Sequence, residues 1–201
     1  VARAFRRKGG RFVARLDEDE REVVVGLLEQ TRQFLAPVPR ASTGDPFDDL
    51  VARLGMPRLK DLDGLADQLS QMPRDPALDR LLPSAHRDDP ALAAEFRRLT
   101  EHGLREGKAA NLSVGIQAIV DADGDKVWLD REQAQAMVVA LTDVRLLLGE
   151  RLGLRTDEDA DALQDRLEEA SEEDPQLHLA AAYDFMTWFQ ETLIQALMEG
   201  Y

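Results

Sequence analysis

The sequence predicts a mainly α protein: a helical bundle carrying a short N-terminal β-hairpin, with residues 127–129 as a candidate third strand. Three observations lead there. An Asp precedes a Pro four times, at Asp45-Pro46, Asp75-Pro76, Asp89-Pro90 and Asp174-Pro175. In each pair the carboxylate can accept from orphan backbone N–H groups while proline sets φ at the first helical position. Long stretches keep apolar residues at helical period. The aromatic content of 5% suits a core of leucine and alanine packed between helices.

Each element has its own signal. Residues 4–16 read as two strands around Gly9-Gly10, because glycine tolerates the positive φ of a tight hairpin turn. Phe12, Ala14 and Leu16 alternate with Val13 and Arg15, which gives one face to a core and the arginines to water. A lone hairpin is marginal in water, so this one is expected to lean on the helices. Asp17 and Glu20 have capping-box spacing, and Val24, Leu27, Leu28, Thr31 and Leu35 carry a helix until Pro37. Prolines and glycines then punctuate the chain, predicting a mobile linker over 37–45 and short helices near 46–54, 59–71 and 76–82. Three long helices are expected to hold the core: 90–120, 131–152 and 175–198. Between the last two, residues 156–174 carry ten acids and one base, Arg166, with Leu163 and Leu167 at i, i+4, which suggests a solvated helix. The whole fits one domain over 1–201.

Composition removes several function classes. The net charge of −14 opposes wholesale nucleic-acid binding, because a duplex would be repelled by most of the surface. Cysteine is absent, which excludes a disulfide framework, a thiolate nucleophile and thiol redox sensing. No stretch approaches the roughly 20 apolar residues of a membrane span. No apolar run follows the N-terminal bases in the manner of a signal peptide. A cytoplasmic protein is the expectation. Charge is also divided unevenly along the chain. The first fifteen residues hold Arg3, Arg6, Arg7, Lys8, Arg11 and Arg15 and none of the 39 acids. A cationic arm on an acidic body can dock on itself or reach for phosphate or an acidic partner, so these six side chains are the candidate partner-binding set.

The other constellations are weaker. Asp121, Asp123, Asp125 and Glu132 stand at positions 1, 3, 5 and 12 of a calcium-loop pattern, but Lys126 takes the place of the glycine needed for the sharp turn. A turn at Asp123-Gly124-Asp125 followed by a cap at Asp130 and Gln133 explains the same residues without a metal. His86, His102 and His178 lack ligand spacing. No serine sits in a nucleophile elbow, and Gly9-Gly10 lacks the lysine and helix of a phosphate loop. No catalytic residue and no cofactor are therefore expected. Asp143 and Arg145 interrupt a nearly continuous apolar run, and ionised groups there should be paired. A salt bridge of Arg145 or Arg97 with Asp184 is the expected pairing, with a polar pocket as the alternative. The bases between Arg74 and Ala110, Lys108 among them, are matched by seven acids and read as an ordinary solvated helix.

Specific strings also resemble a known family. Arg80-Leu81-Leu82-Pro83, Asp88-Asp89-Pro90 and Glu95-Phe96-Arg97-Arg98-Leu99-Thr100 are similar to the actinobacterial domain of unknown function family 2017. So are Leu129-Asp130 with Gln133-Ala134, the run from Leu141 to Leu146, Gly149 through Gly153, Tyr183-Asp184 and Gln190-Glu191. Phe5-Arg6-Arg7 and Phe12 extend the resemblance to the N-terminus. Members of that family are usually left unannotated or described as transcriptional regulators, some tied to oxidative-stress and sulfur-metabolism responses, so the resemblance implies a regulatory protein. The redox-regulator reading in that family depends on a cysteine pair, which this chain lacks. Residues and resemblance together point to a non-enzymatic cytoplasmic regulatory protein acting through protein partners, with the transcription machinery a candidate and direct DNA contact left open. The alternatives are a small-molecule or calcium-binding helical protein and a structural homodimer.

Overall fold

A computed structural model describes residues 2–36, 75–83, 90–168, 171 and 174–199. Within them the chain is mainly helical, with six helices and one small antiparallel sheet. Strands β1 (Arg3–Lys8) and β2 (Arg11–Arg15) are followed by α1 (Glu18–Leu35), α2 (Pro76–Leu81) and α3 (Pro90–Val120). Strand β3 (Lys126–Leu129), α4 (Arg131–Leu152), α5 (Asp157–Glu168) and α6 (Pro175–Met198) complete the order. The expected linker over 37–45 and the helices near 46–54 and 59–71 lie outside the described residues.

Local chemistry sets the boundaries. The Glu20 N–H donates to Asp17 Oδ1 at 3.0 Å while the Asp17 N–H donates to Glu20 Oε2 at 2.8 Å, a complete capping box opening α1. Asp130 and Gln133 form the same reciprocal pair at the start of α4. Asp75 and Asp174 each accept from the second residue of a helix whose first is proline. α4 ends at Gly153, whose φ of 77° is a left-handed cap that a β-carbon would strain. Replacing Asp130 with alanine should cost about 1 kcal/mol. Urea unfolding checks this; no loss would mean that the cap adds nothing where β3 hands over to α4.

The sheet has the order β1-β2-β3. Gly9 and Gly10, at φ 59° and 79°, make the hairpin turn. Val127 to Leu129 is indeed a third strand, pairing Phe12 with Leu129, Val13 with Trp128 and Ala14 with Val127. Directly opposed residues project from the same face. Phe12, Ala14, Val127 and Leu129 are accordingly all buried against the helices. Phe5 joins them, its ring 4.8 Å from that of Phe189 on α6. The Phe5 N–H donates to Thr192 Oγ1 at 3.3 Å, so α6 shields this stretch of the edge strand.

Helix α4 is the hub of the bundle and touches α1, α2, α3 and α6. Met137, Ala140, Leu141, Val144 and Leu148 line its buried side. A smaller apolar cluster, built on Leu152, Leu163 and Ala180, holds α5 at the far end of α4. The sheet enters α4 at its N-terminus. With 22 residues at about 1.5 Å rise, α4 is about 33 Å long, with the basic sheet at its N-terminal end and the Leu163 contact of the acidic α5 at its C-terminal end. Among the described residues no helix is long and apolar enough to cross a membrane.

Candidate functional site

The outer face of the sheet follows from its register. Arg3 is opposite Arg15, Arg6 opposite Val13, and Lys8 opposite Arg11. On the other side of β2, Val13 is opposite Trp128 and Arg15 opposite Lys126. The face turned away from the helices therefore has Val13 and Trp128 at its centre. Arg3, Arg6, Lys8, Arg11, Arg15 and Lys126 surround that pair. A bulge between Arg3 and Arg6 places the extra residue of β1 near Phe5, which lets Phe5 turn into the core while Arg3 and Arg6 stay outside.

Two cations already use the indole. The Lys8 ammonium lies 6.0 Å from the centre of the Trp128 ring and the Arg11 guanidinium 5.4 Å from it. Cation–π attraction of this kind offsets part of the repulsion between neighbouring bases. Repulsion is built into the register: Lys8 against Arg11, Arg3 against Arg15 and Arg15 against Lys126 are three like-charge cross-strand pairs, each of which disfavours the sheet. Asp125 eases the two that share Arg15 by accepting from that side chain at 3.2 Å, in an exposed contact.

A second polar set joins the helices. Asp143 on α4 is 1% exposed and meets the Lys108 ammonium of α3 at 2.5 Å through Oδ1. Its Oδ2 is buried without a hydrogen-bond partner. Burial raises the Asp143 pKa above the ordinary carboxylate value, although Lys108 pulls it the other way. On the α6 side of α4, Arg145 donates through Nε to Thr187 Oγ1 at 2.9 Å and through a terminal nitrogen to Gln190 Oε1 at 2.6 Å. Gln190 in turn donates to the Val138 carbonyl and to Thr142 Oγ1 at 2.8 and 2.6 Å. The Arg145 guanidinium also lies over the Tyr183 ring at 5.6 Å.

A model of the DUF2017 family, a domain of unknown function, matches residues 2–197. The chain belongs to that family. No match is found among curated proteins or among solved structures.

In this DUF2017 chain the candidate arm residues divide by face. Arg3, Arg6, Lys8, Arg11 and Arg15 share the outer face. Arg7 does not, because its pairing with Phe12 turns it to the helix side, where it projects into solvent beyond the bundle. Lys126, Val13 and Trp128 were not among the sequence candidates. The strand-like alternation of Lys126-Val127-Trp128-Leu129 was their signal, since it puts Lys126 and Trp128 on the face opposite Val127 and Leu129.

The expected bridge to Asp184 gives way to other partners. Residues two apart on a helix point about 200° apart, so Asp143 and Arg145 cannot serve the same neighbour. Asp143 faces α3 and takes Lys108; Arg145 faces α6, where Tyr183, Thr187 and Gln190 form a stripe at i, i+4, i+7 and Asp184 stands beside it, exposed. The Arg97 side chain lies outside the described residues. Lys108 and Arg105 are also not merely a solvated face: Arg105 donates to the Leu35 carbonyl at 2.9 Å and satisfies the last turn of α1.

The calcium-loop acids disperse. Asp123 and Lys126 exchange backbone hydrogen bonds around Gly124, Asp125 serves Arg15, and Asp121 accepts from Gln117 at 2.8 Å. Glu132 is exposed in the first turn of α4. The turn holds Asp123 and Asp125, and the cap that follows is made by Asp130 and Gln133. Among the described residues no group of three or more His, Cys, Asp or Glu is gathered in a way that could hold a metal ion.

Proposed function

We propose that this chain is a non-enzymatic regulatory protein that works by docking a protein partner on the outer face of its N-terminal sheet. The observation that carries the reading is the set of like-charge pairs across the three strands. Each lowers the stability of a small sheet, and an anionic surface laid on them would turn that repulsion into attraction. The separation of that face from the acidic α5 by the length of α4 argues against simple docking of the arm on that helix. A rival small-molecule site at Asp143 and Arg145 draws less support, since both side chains are engaged in joining α4 to its neighbours.

The family resemblance supplies the rest of the reading: an actinobacterial, cytoplasmic protein whose partner belongs to the transcription machinery. Without cysteine, any part in an oxidative-stress response runs through that partner and not through a thiol in this chain.

The test exploits the two faces of the hairpin. Pull-downs from native cytoplasm at low and moderate salt would compare the wild type with Arg6→Gln/Lys8→Gln/Arg11→Gln and with Arg7→Gln. The triple variant should lose a salt-sensitive partner that Arg7→Gln retains. Capture unchanged in the triple variant would overturn the reading.

A further inference from the structure

We infer that the occupant of the outer sheet face is a short acidic polypeptide segment of another protein, with an apolar side chain set against Val13 and Trp128 and carboxylates on either side. The inference rests on the reading of that face as the contact surface and adds what it binds. The arrangement of the face is the first reason. Its middle row is Arg6, Val13 and Trp128, flanked by Lys8 and Arg11 on one side and by Arg3, Arg15 and Lys126 on the other. Residues on one face of a strand repeat about every 6.6 Å, and strands lie about 4.8 Å apart, so the whole face is the size of a few residues of extended chain. Arginine forks suit carboxylates at that spacing, and a central apolar contact gives the segment a register.

Nucleic acid fits less well on two counts. The Trp128 ring, the one aromatic side chain on this face among the described residues, already holds the Lys8 and Arg11 cations at 6.0 and 5.4 Å, so a base stacked flat on it would compete with them over a larger area than a single aliphatic side chain does. A longer polyanion would also run from the sheet on to a body with a formal charge of −14 for the whole chain. The same repulsion disfavours a second copy of this chain as the occupant: its acidic α5 could reach the sheet only by bringing two acidic bodies together. A short segment carries the carboxylates without the body.

The experiment uses the full chain with Trp188→Phe, so that Trp128 is the only indole left. Its emission and thermal midpoint would be followed during titration with an acidic peptide of about eight residues carrying one central leucine, a length matched to the strands. A thymidine oligonucleotide of similar length is the second probe. The peptide should shift Trp128 emission, raise the thermal midpoint, and bind at least about tenfold more tightly than the oligonucleotide. Peptide affinity should fall with salt and drop about tenfold or more in Arg6→Gln/Arg11→Gln. Tighter binding of the oligonucleotide would overturn the peptide assignment in favour of nucleic acid. A molar mass that doubles at low salt without peptide, by light scattering, would overturn it in favour of a second copy. No response to the peptide, with the pull-down still sensitive to the triple variant, would sink the acidic segment and leave the contact face standing. Silence in both experiments removes both readings.

Discussion

Replacing Lys108 with methionine should destabilise the fold by about 3–5 kcal/mol, because it leaves Asp143 charged and buried without its partner. The loss should depend on pH in a defined direction. Asp143 already titrates above its ordinary value because burial penalises the carboxylate, and Lys108 restrains that rise. A group with a raised folded pKa contributes stability below its unfolded pKa, and the contribution disappears as pH rises through the folded value. Without Lys108 the folded value rises further, so the variant should be weakened less at about pH 5 than at about pH 8. Urea unfolding at both conditions measures the difference. The double variant Lys108→Met/Asp143→Leu should recover most of the loss, since apolar replacement of a whole buried pair is often close to neutral. If the double variant proves as weak as the single one, lost packing and not a stranded charge is the cause.

Phe189→Ala is expected to cost about 3–5 kcal/mol as well, but through a cavity. Phe189 is fully buried and lies against Phe5 at 4.8 Å and Phe185 at 5.9 Å. Its ring carries the contact through which β1 leans on α6, so the damage should concentrate in the hairpin. Amide exchange in residues 3–8 should accelerate more than exchange in the buried turns of α4. Phe189→Leu keeps part of the volume and should lose markedly less. Equal acceleration throughout the chain would mean that the sheet has no separate dependence on this contact. The docking face would then be as robust as the bundle beneath it.

These two sites show what sequence reading can reach and where it stops. The helix starts were legible because a cap is local: Asp17 with Glu20, Asp130 with Gln133, and Asp-Pro at 75–76 and 174–175 satisfy backbone groups within a few residues of themselves. The third strand was legible as a short apolar alternation after a glycine turn. The partners of Asp143 and Arg145 were not. Both were recognisable as charges that needed company, but Lys108 lies 35 residues from Asp143 and Gln190 lies 45 from Arg145. Nothing local distinguishes them from the other bases of α3 or the other polar residues of α6. Only the rotation of α4, with one charge toward α3 and the other toward α6, selects them.

The cationic arm divides in the same way. Its residue types, its glycine turn and its isolation from the acids were all present in the sequence, and they determined that a positive hairpin stands at one end of an acidic chain. Which of its charges act together was decided by register. A residue's face depends on its opposite number across the strand, and the bulge between Arg3 and Arg6 shifts that pairing by one. Pairing turned Arg7 away, brought in Lys126 and Trp128 from more than a hundred residues downstream, and converted a run of bases into a ring of cations around an apolar centre.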